Sequence, residues 1–222
     1  MLFVVCKVEA AAKPNILLIT IDTLRADHLG CYGSKSNASP VLDQFAKEGL
    51  RFEHAYTAVP LTLPSHASIL SGLYPRNHGI RDNAHFPFRA TWIQESLKAS
   101  GYHSAAFVSG ATLSSRFGLS RGFDFYDDEF SGLERRANET TTRVMEWLKT
   151  ARKPYFLWVH YFDPHAEYEP PREFLRKFPK SPYDGEVAFV DSQIAKLLAA
   201  TGNDALTMIT ADHGESLGEH GE

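Results

Sequence analysis

Cysteine is almost missing from this chain: Cys6 and Cys31 are the two in 222 residues. They form no paired-ligand spacing, which removes both a thiolate zinc site and a disulfide framework from consideration. Basic blocks are missing too. The 23 Lys and Arg are scattered singly against 27 Asp and Glu, for a formal net charge of -4. Nothing here matches the electrostatic footprint of a nucleic-acid binder. Long apolar runs are also lacking. The one at the N-terminus, Leu2 to Cys6, has no basic residues before it and is shorter than the roughly 7–15 residues of a signal-peptide core. Residues 1–13 therefore read as a tail or the remnant of an export signal, which leaves the compartment open, with an extracytoplasmic or membrane-associated setting favoured. No later segment is apolar for long enough to cross a bilayer.

What the chain does have is the balance of an ordinary globular domain, 43% hydrophobic and 23% charged, and strands that alternate with helices. Asn15 to Ile21 is a continuous apolar run, as in a strand buried on both faces, and Asp22 ends it. Ser39 and Pro40 open a helix that runs through Glu48 to a stop at Gly49. A short strand is expected near Leu50 to Tyr56. Thr91 to Ser100 reads as an amphipathic helix, Tyr102 to Val108 as a strand, and Asn138 to Ala151 as a further helix. Tyr155 to Phe162 is a second buried strand. Ala166 to Pro182 is a Pro-rich, charged surface loop, Asp184 to Ala200 a long helix, and Ala205 to Ile209 the last strand. The alternation predicts one α/β domain over 14–222, with a mostly parallel sheet covered by helices on both faces.

In such sheets ligands collect beyond the carboxyl ends of the strands. Three predicted strand exits carry acid or imidazole groups: Asp22, Asp163 with His165, and Asp212 with His213. Pro60 to Gly72 reads as a loop entering a short helix, with Thr62 near the helix N-terminus. Backbone N–H groups there favour a sulfate or phosphate held against the Thr62 hydroxyl, although a threonine at that place also serves commonly as a cap. Asp163 reads as a turn residue before Pro164, Cys31 as a packed small hydrophobe, and Asp27 and His28 as surface residues.

Taken in order, Pro14-Asn15-Ile16, Asp22-Thr23-Leu24-Arg25-Ala26-Asp27, Leu29-Gly30-Cys31-Tyr32-Gly33, Pro64-Ser65-His66-Ala67-Ser68 and Asp212-His213-Gly214-Glu215 resemble the sulfatase family of the alkaline phosphatase superfamily. The resemblance implies a divalent metal, Mn²⁺, Mg²⁺ or Ca²⁺ with Zn²⁺ also compatible, held by Asp22, Asp212, His213 and the nucleophile's oxygen. It makes His165 the histidine that contacts the anion or protonates the leaving group, with His160 a second candidate. Glu215 would orient His213, or with His220 merely decorate the metal loop. Substrates would be small-molecule, lipid or saccharide esters.

The chain departs from the family at the nucleophile. Where sulfatases carry a Cys or Ser that becomes formylglycine in C-x-P-x-R, this chain has Thr62-Leu63-Pro64-Ser65-His66. Threonine cannot become that aldehyde, whereas a phosphorylated threonine can be attacked at phosphorus, so Thr62 favours phosphoesters. His66 replaces the arginine, which exchanges a permanent anion contact for one that depends on protonation; Arg25, Arg76 and Arg81 are candidates to compensate. The family pattern continues beyond the Asp-His loop, so the chain reads as its N-terminal catalytic part. A non-catalytic relative serving as a binding module, or an inactive fragment, is the alternative.

Overall fold

A computed structural model describes residues 13–84, 90–219 and 221; the N-terminal apolar run, Cys6 and His220 lie outside them. Five strands, β1 (Asn15–Ile21), β2 (His103–Phe107), β3 (Phe125–Asp127), β4 (Tyr155–Tyr161) and β5 (Ala205–Ala211), form one sheet in the order β3-β2-β4-β1-β5. Every pairing is parallel. Helices α1 (Pro40–Glu48), α2 (Thr62–Ser71), α3 (Pro75–His78), α4 (Ile93–Ala99), α5 (Ala137–Leu148), α6 (Arg172–Lys177) and α7 (Pro182–Thr201) supply the crossovers and covering layers. No helix among the described residues is long and apolar enough to span a membrane.

Strand side chains alternate between faces, so each buried strand serves two cores. Leu17, Ile19 and Ile21 of β1, with Leu157 and Val159 of β4, pack into the core beneath α5 and α7, formed by Val144, Val187, Val190 and Ile194. Leu18, Phe156 and Trp158 point the other way, against Leu63, Ala67 and Leu70 of α2 and Trp92. Thr20 and His160 share this second face by the same period of two. Burial on both sides is why β1 and β4 read as unbroken apolar runs.

The register decides where chemistry emerges. Ile21 lies level with Tyr161 of β4 and with Ala211 of β5, so Asp22 and Asp212 leave the sheet side by side at its carboxyl edge.

Several expectations need correction. Leu50 to Tyr56 forms no strand: Leu50, Phe52 and Tyr56 are 91%, 72% and 86% exposed, with no neighbouring strand to pair them. The stretch from Ala166 to Pro182 is not all loop, because α6 forms within it and buries Phe174 against the core. His28 is only partly a surface residue, since Nδ1 is 2.7 Å from Asp184 Oδ1 and its ring stands edge-on to Tyr183. Strand β3 gave no warning in the sequence. It has three residues and exists by pairing with β2.

Candidate active site at the carboxyl edge of the sheet

Asp22 is fully buried at the end of β1, and the chain turns sharply after it. Thr23 has φ of 54°, a left-handed conformation unusual for a β-branched residue. The turn aims the Thr23 N–H at Asp212 Oδ1, 3.2 Å away. Tyr183 of α7 holds the same turn from below: its hydroxyl donates to the Thr23 carbonyl and accepts from the Arg25 N–H, both at 2.8 Å. The Thr23 hydroxyl donates to the Pro164 carbonyl at 2.9 Å, tying the exits of β1 and β4 together.

Helix α2 brings Thr62. Leu61 occupies the N-cap position without a side-chain cap bond, so the Thr62 hydroxyl is not consumed in capping. It lies 3.4 Å from Nε2 of His213. Ser65, one turn on, donates to the Asp212 carbonyl at 2.7 Å and fixes the helix to the exit of β5. Asn83 accepts the Leu63 N–H at 3.0 Å, and α2 ends at Gly72, whose φ of 69° suits a residue without a side chain.

Around the Thr62 hydroxyl stand the donor atoms that could hold a cation. Nε2 of His213 is 3.5 Å from Asp22 Oδ1 and 3.6 Å from Asp212 Oδ2. Ligands at about 2.1 Å from one ion are separated by about 3–3.5 Å, so the set is close to liganding spacing. The protonation pattern suits it too. His213 donates from Nδ1 to the Gly214 carbonyl at 2.8 Å, leaving the Nε2 lone pair for the centre. Asp212 Oδ1 accepts from the Thr23 and His213 N–H groups, while Asp212 Oδ2 and both oxygens of Asp22 are buried without a hydrogen-bond partner among the described residues. Unpaired buried carboxylates are costly. Burial pushes the Asp22 carboxyl up to about 6 and raises that of Asp212, where the charge of Asp22 adds to the effect. A divalent cation resolves both problems, and the residues fit one.

His165, on the loop after β4, stacks on Phe162 with ring centroids 4.4 Å apart and donates from Nδ1 to the Ala166 carbonyl at 2.7 Å. Asp163 caps α5, accepting the Ala137 N–H at 2.9 Å, and burial pushes its carboxyl up to about 6.

His66 does not fit a protonation-dependent anion contact. It is completely buried beneath the site, and burial pushes its pKa down to about 4. Nδ1 donates to the Thr62 carbonyl at 2.8 Å. Nε2 accepts from the Thr20 hydroxyl at 3.0 Å, which itself accepts the Trp158 Nε1–H at 3.0 Å. Of the arginines named as candidates to compensate, Arg25 pairs with Asp27 and Glu219, and Arg76 and Arg81 are exposed. Glu215 does not orient His213, a task the Gly214 carbonyl performs; its carboxyl interacts with Tyr168. Cys31 packs against the core as expected. Thr20, Thr23, Ser65, Asn83 and Tyr183 gave no separate signal, since each acts through partners far away in the chain.

A sulfatase family model matches residues 14–222. The chain is 23% identical to human iduronate 2-sulfatase over 94% of its own length and 56% of that protein. It is 44% identical to an arylsulfatase of Clostridium perfringens (strain 13 / Type A) over 41% of its length and 20% of that protein. Among solved structures, the phosphonate monoester hydrolase of Agrobacterium radiobacter superposes with a TM-score of 0.82 at 18% identity, covering 95% of this chain and 64% of that one. The chain spans about half the length of the sulfatases that it matches nearly end to end.

Proposed function

Because the chain belongs to the sulfatase family, we propose that it carries the N-terminal catalytic part of a metal-dependent ester hydrolase or transferase whose nucleophile is Thr62 and whose preferred substrates are phosphoesters. The observation that carries this reading is the Thr62 hydroxyl, 3.4 Å from Nε2 of His213, an imidazole that itself stands 3.5 Å from Asp22 Oδ1 and 3.6 Å from Asp212 Oδ2. Asp22, Asp212 and His213 would hold the metal, with the Thr62 hydroxyl next to His213. Mixed carboxylate, alcohol and imidazole donors suit Mn²⁺ or Mg²⁺. When bound, the ion lowers the pKa of the Thr62 alcohol and neutralises charge on the ester oxygens.

Thr62 Oγ1, having released its proton to solvent water, attacks phosphorus as the bond to the leaving oxygen breaks. Protonated His165 gives the Nε2 proton to that oxygen, and the neutral ring left behind keeps its Nδ1–H on the Ala166 carbonyl. Water or a second alcohol then attacks phosphorus, giving its proton to the neutral His165, and Thr62 leaves as the alkoxide that began the cycle. A sulfated Thr62 has no second hydroxyl to expel sulfate by elimination, which is why phosphoesters are preferred.

The test uses full-length protein carrying this chain, reconstituted with Mn²⁺, against an aryl phosphate monoester, an aryl phosphate diester and an aryl sulfate. Faster turnover of a phosphate ester, abolished by Thr62→Ala, is expected. Undiminished activity in Thr62→Ala removes Thr62 as nucleophile, and a sulfate preference overturns the phosphoester assignment.

A further inference from the structure

Behind the proposed metal ligands lies a second buried cluster. Ring nitrogens of His66 and His160 and a carboxylate oxygen of Asp212 lie within 4.8 Å of one another, all buried. The spacing resembles a second cation site, but the hydrogen bonds exclude it. Nδ1 of His66 carries the proton donated to the Thr62 carbonyl. His160 Nδ1 accepts the Ser109 N–H at 3.4 Å, so its proton sits on Nε2. The nitrogens facing the carboxylates therefore bear hydrogens rather than lone pairs.

Among the described residues His160 Nε2 makes no hydrogen bond, and it stands 3.6 Å from Asp22 Oδ2, which has no partner among them either. Both groups are fully buried. Asp22 is thus divided, with Oδ1 towards His213 and Oδ2 towards His160. We propose that His160 is a positioning residue for metal binding: its Nε2–H, directed at Asp22 Oδ2 from 3.6 Å, holds that oxygen by electrostatic attraction and leaves Oδ1 turned towards the ion. This rests on the reading of Asp22 as a metal ligand.

The imidazole is itself held by a directional chain of donors. Asp127 accepts from Arg135 Nη1 at 2.5 Å, and Arg135 Nε donates to the Thr140 hydroxyl at 3.0 Å. Thr140 donates to Ser109 Oγ at 2.8 Å, and Ser109 Oγ donates to the His160 carbonyl at 2.6 Å. Ser109 therefore grips His160 twice, through its hydroxyl on the backbone and its N–H on the ring. With the rotamer and tautomer imposed from the β2 side, one ring N–H is left for Asp22. Groups that orient metal ligands in this way commonly contribute 10–100-fold in affinity.

The test is calorimetric titration of the full-length protein with Mn²⁺ at neutral pH. His160→Gln, whose amide can replace the Nε2–H donor, is expected to bind within about threefold of wild type, and His160→Leu about 10–100-fold more weakly. Wild-type affinity in His160→Leu overturns the inference and leaves the metal site standing. Absence of Mn²⁺ binding by wild type sinks the metal site and the inference with it. Should His160→Leu fail to fold, long-range ¹⁵N–¹H spectra of the wild-type imidazoles decide instead. An Nε2–H tautomer of His160 whose signal shifts on Mg²⁺ addition is expected, and an Nδ1–H tautomer or an unmoved signal overturns the inference.

Discussion

The Thr62 hydroxyl and Nε2 of His213 meet at 3.4 Å although 151 positions separate them in the chain. One stands at the start of α2, the other past the end of β5, and the Ser65 hydroxyl on the Asp212 carbonyl closes the two elements on each other. Thr62→Ser keeps the oxygen and should retain turnover, whereas Thr62→Val fills the same space without one and should lose at least about a thousandfold in kcat/KM. Both should melt near wild type. A Thr62→Val enzyme as fast as Thr62→Ser would show that the hydroxyl is not the attacking group.

Metal removal should be felt in the fold as well as in turnover. Asp22 and Asp212 are buried with unpaired oxygens, so an ion that binds only the folded state stabilises by about 2.7 kcal/mol at a hundred times its Kd. Chelation should lower the melting temperature of wild type and leave Asp212→Asn, which has already lost a ligand oxygen, nearly unmoved. A melting temperature indifferent to chelator in wild type would count against the site.

His165 should matter in proportion to the leaving group. A phenol with an electron-withdrawing substituent departs without help, while an alkoxide needs a proton. His165→Gln is therefore expected to slow alkyl esters about 100-fold or more and activated aryl esters much less. A uniform loss across leaving groups would reassign His165 to anion binding.

Glu186 of α7 is buried, and burial, followed by the charge of Asp163, pushes its carboxyl up to about 8 from an ordinary 4.5. The folded protein then holds a proton that the unfolded chain releases, so stability is full below about 4.5 and falls as pH rises towards about 8. The slope reaches about 1.4 kcal/mol per pH unit from this group. Glu186→Gln, which can keep an oxygen for the Glu169 N–H now held at 2.8 Å, should be more stable than wild type at pH 8 and show a flatter profile. Urea unfolding from pH 5 to 9 measures it, and identical profiles would remove Glu186 as the source.

The alternation of strands and helices, the bounds of β1 and α1 and the carboxylate and imidazole groups at the strand exits were all legible in the sequence. These rest on local signals: a strand buried on both faces must be apolar throughout, Pro and Gly punctuate helices, and carboxylates and imidazoles keep their chemistry wherever they sit. The order of Asp22, Thr62 and Asp212-His213 also carried the resemblance to the family. Only the tertiary structure decided which groups meet and in what protonation state. Parallel register sets Asp22 beside Asp212 across 190 positions of chain, and no local pattern encodes it. His66 and His160 look like any titratable histidines in the sequence. Buried against Trp158 and Ser109, on elements distant in the chain, they become neutral donors beneath the site, because the proton on an imidazole is settled by the neighbours that fold around it.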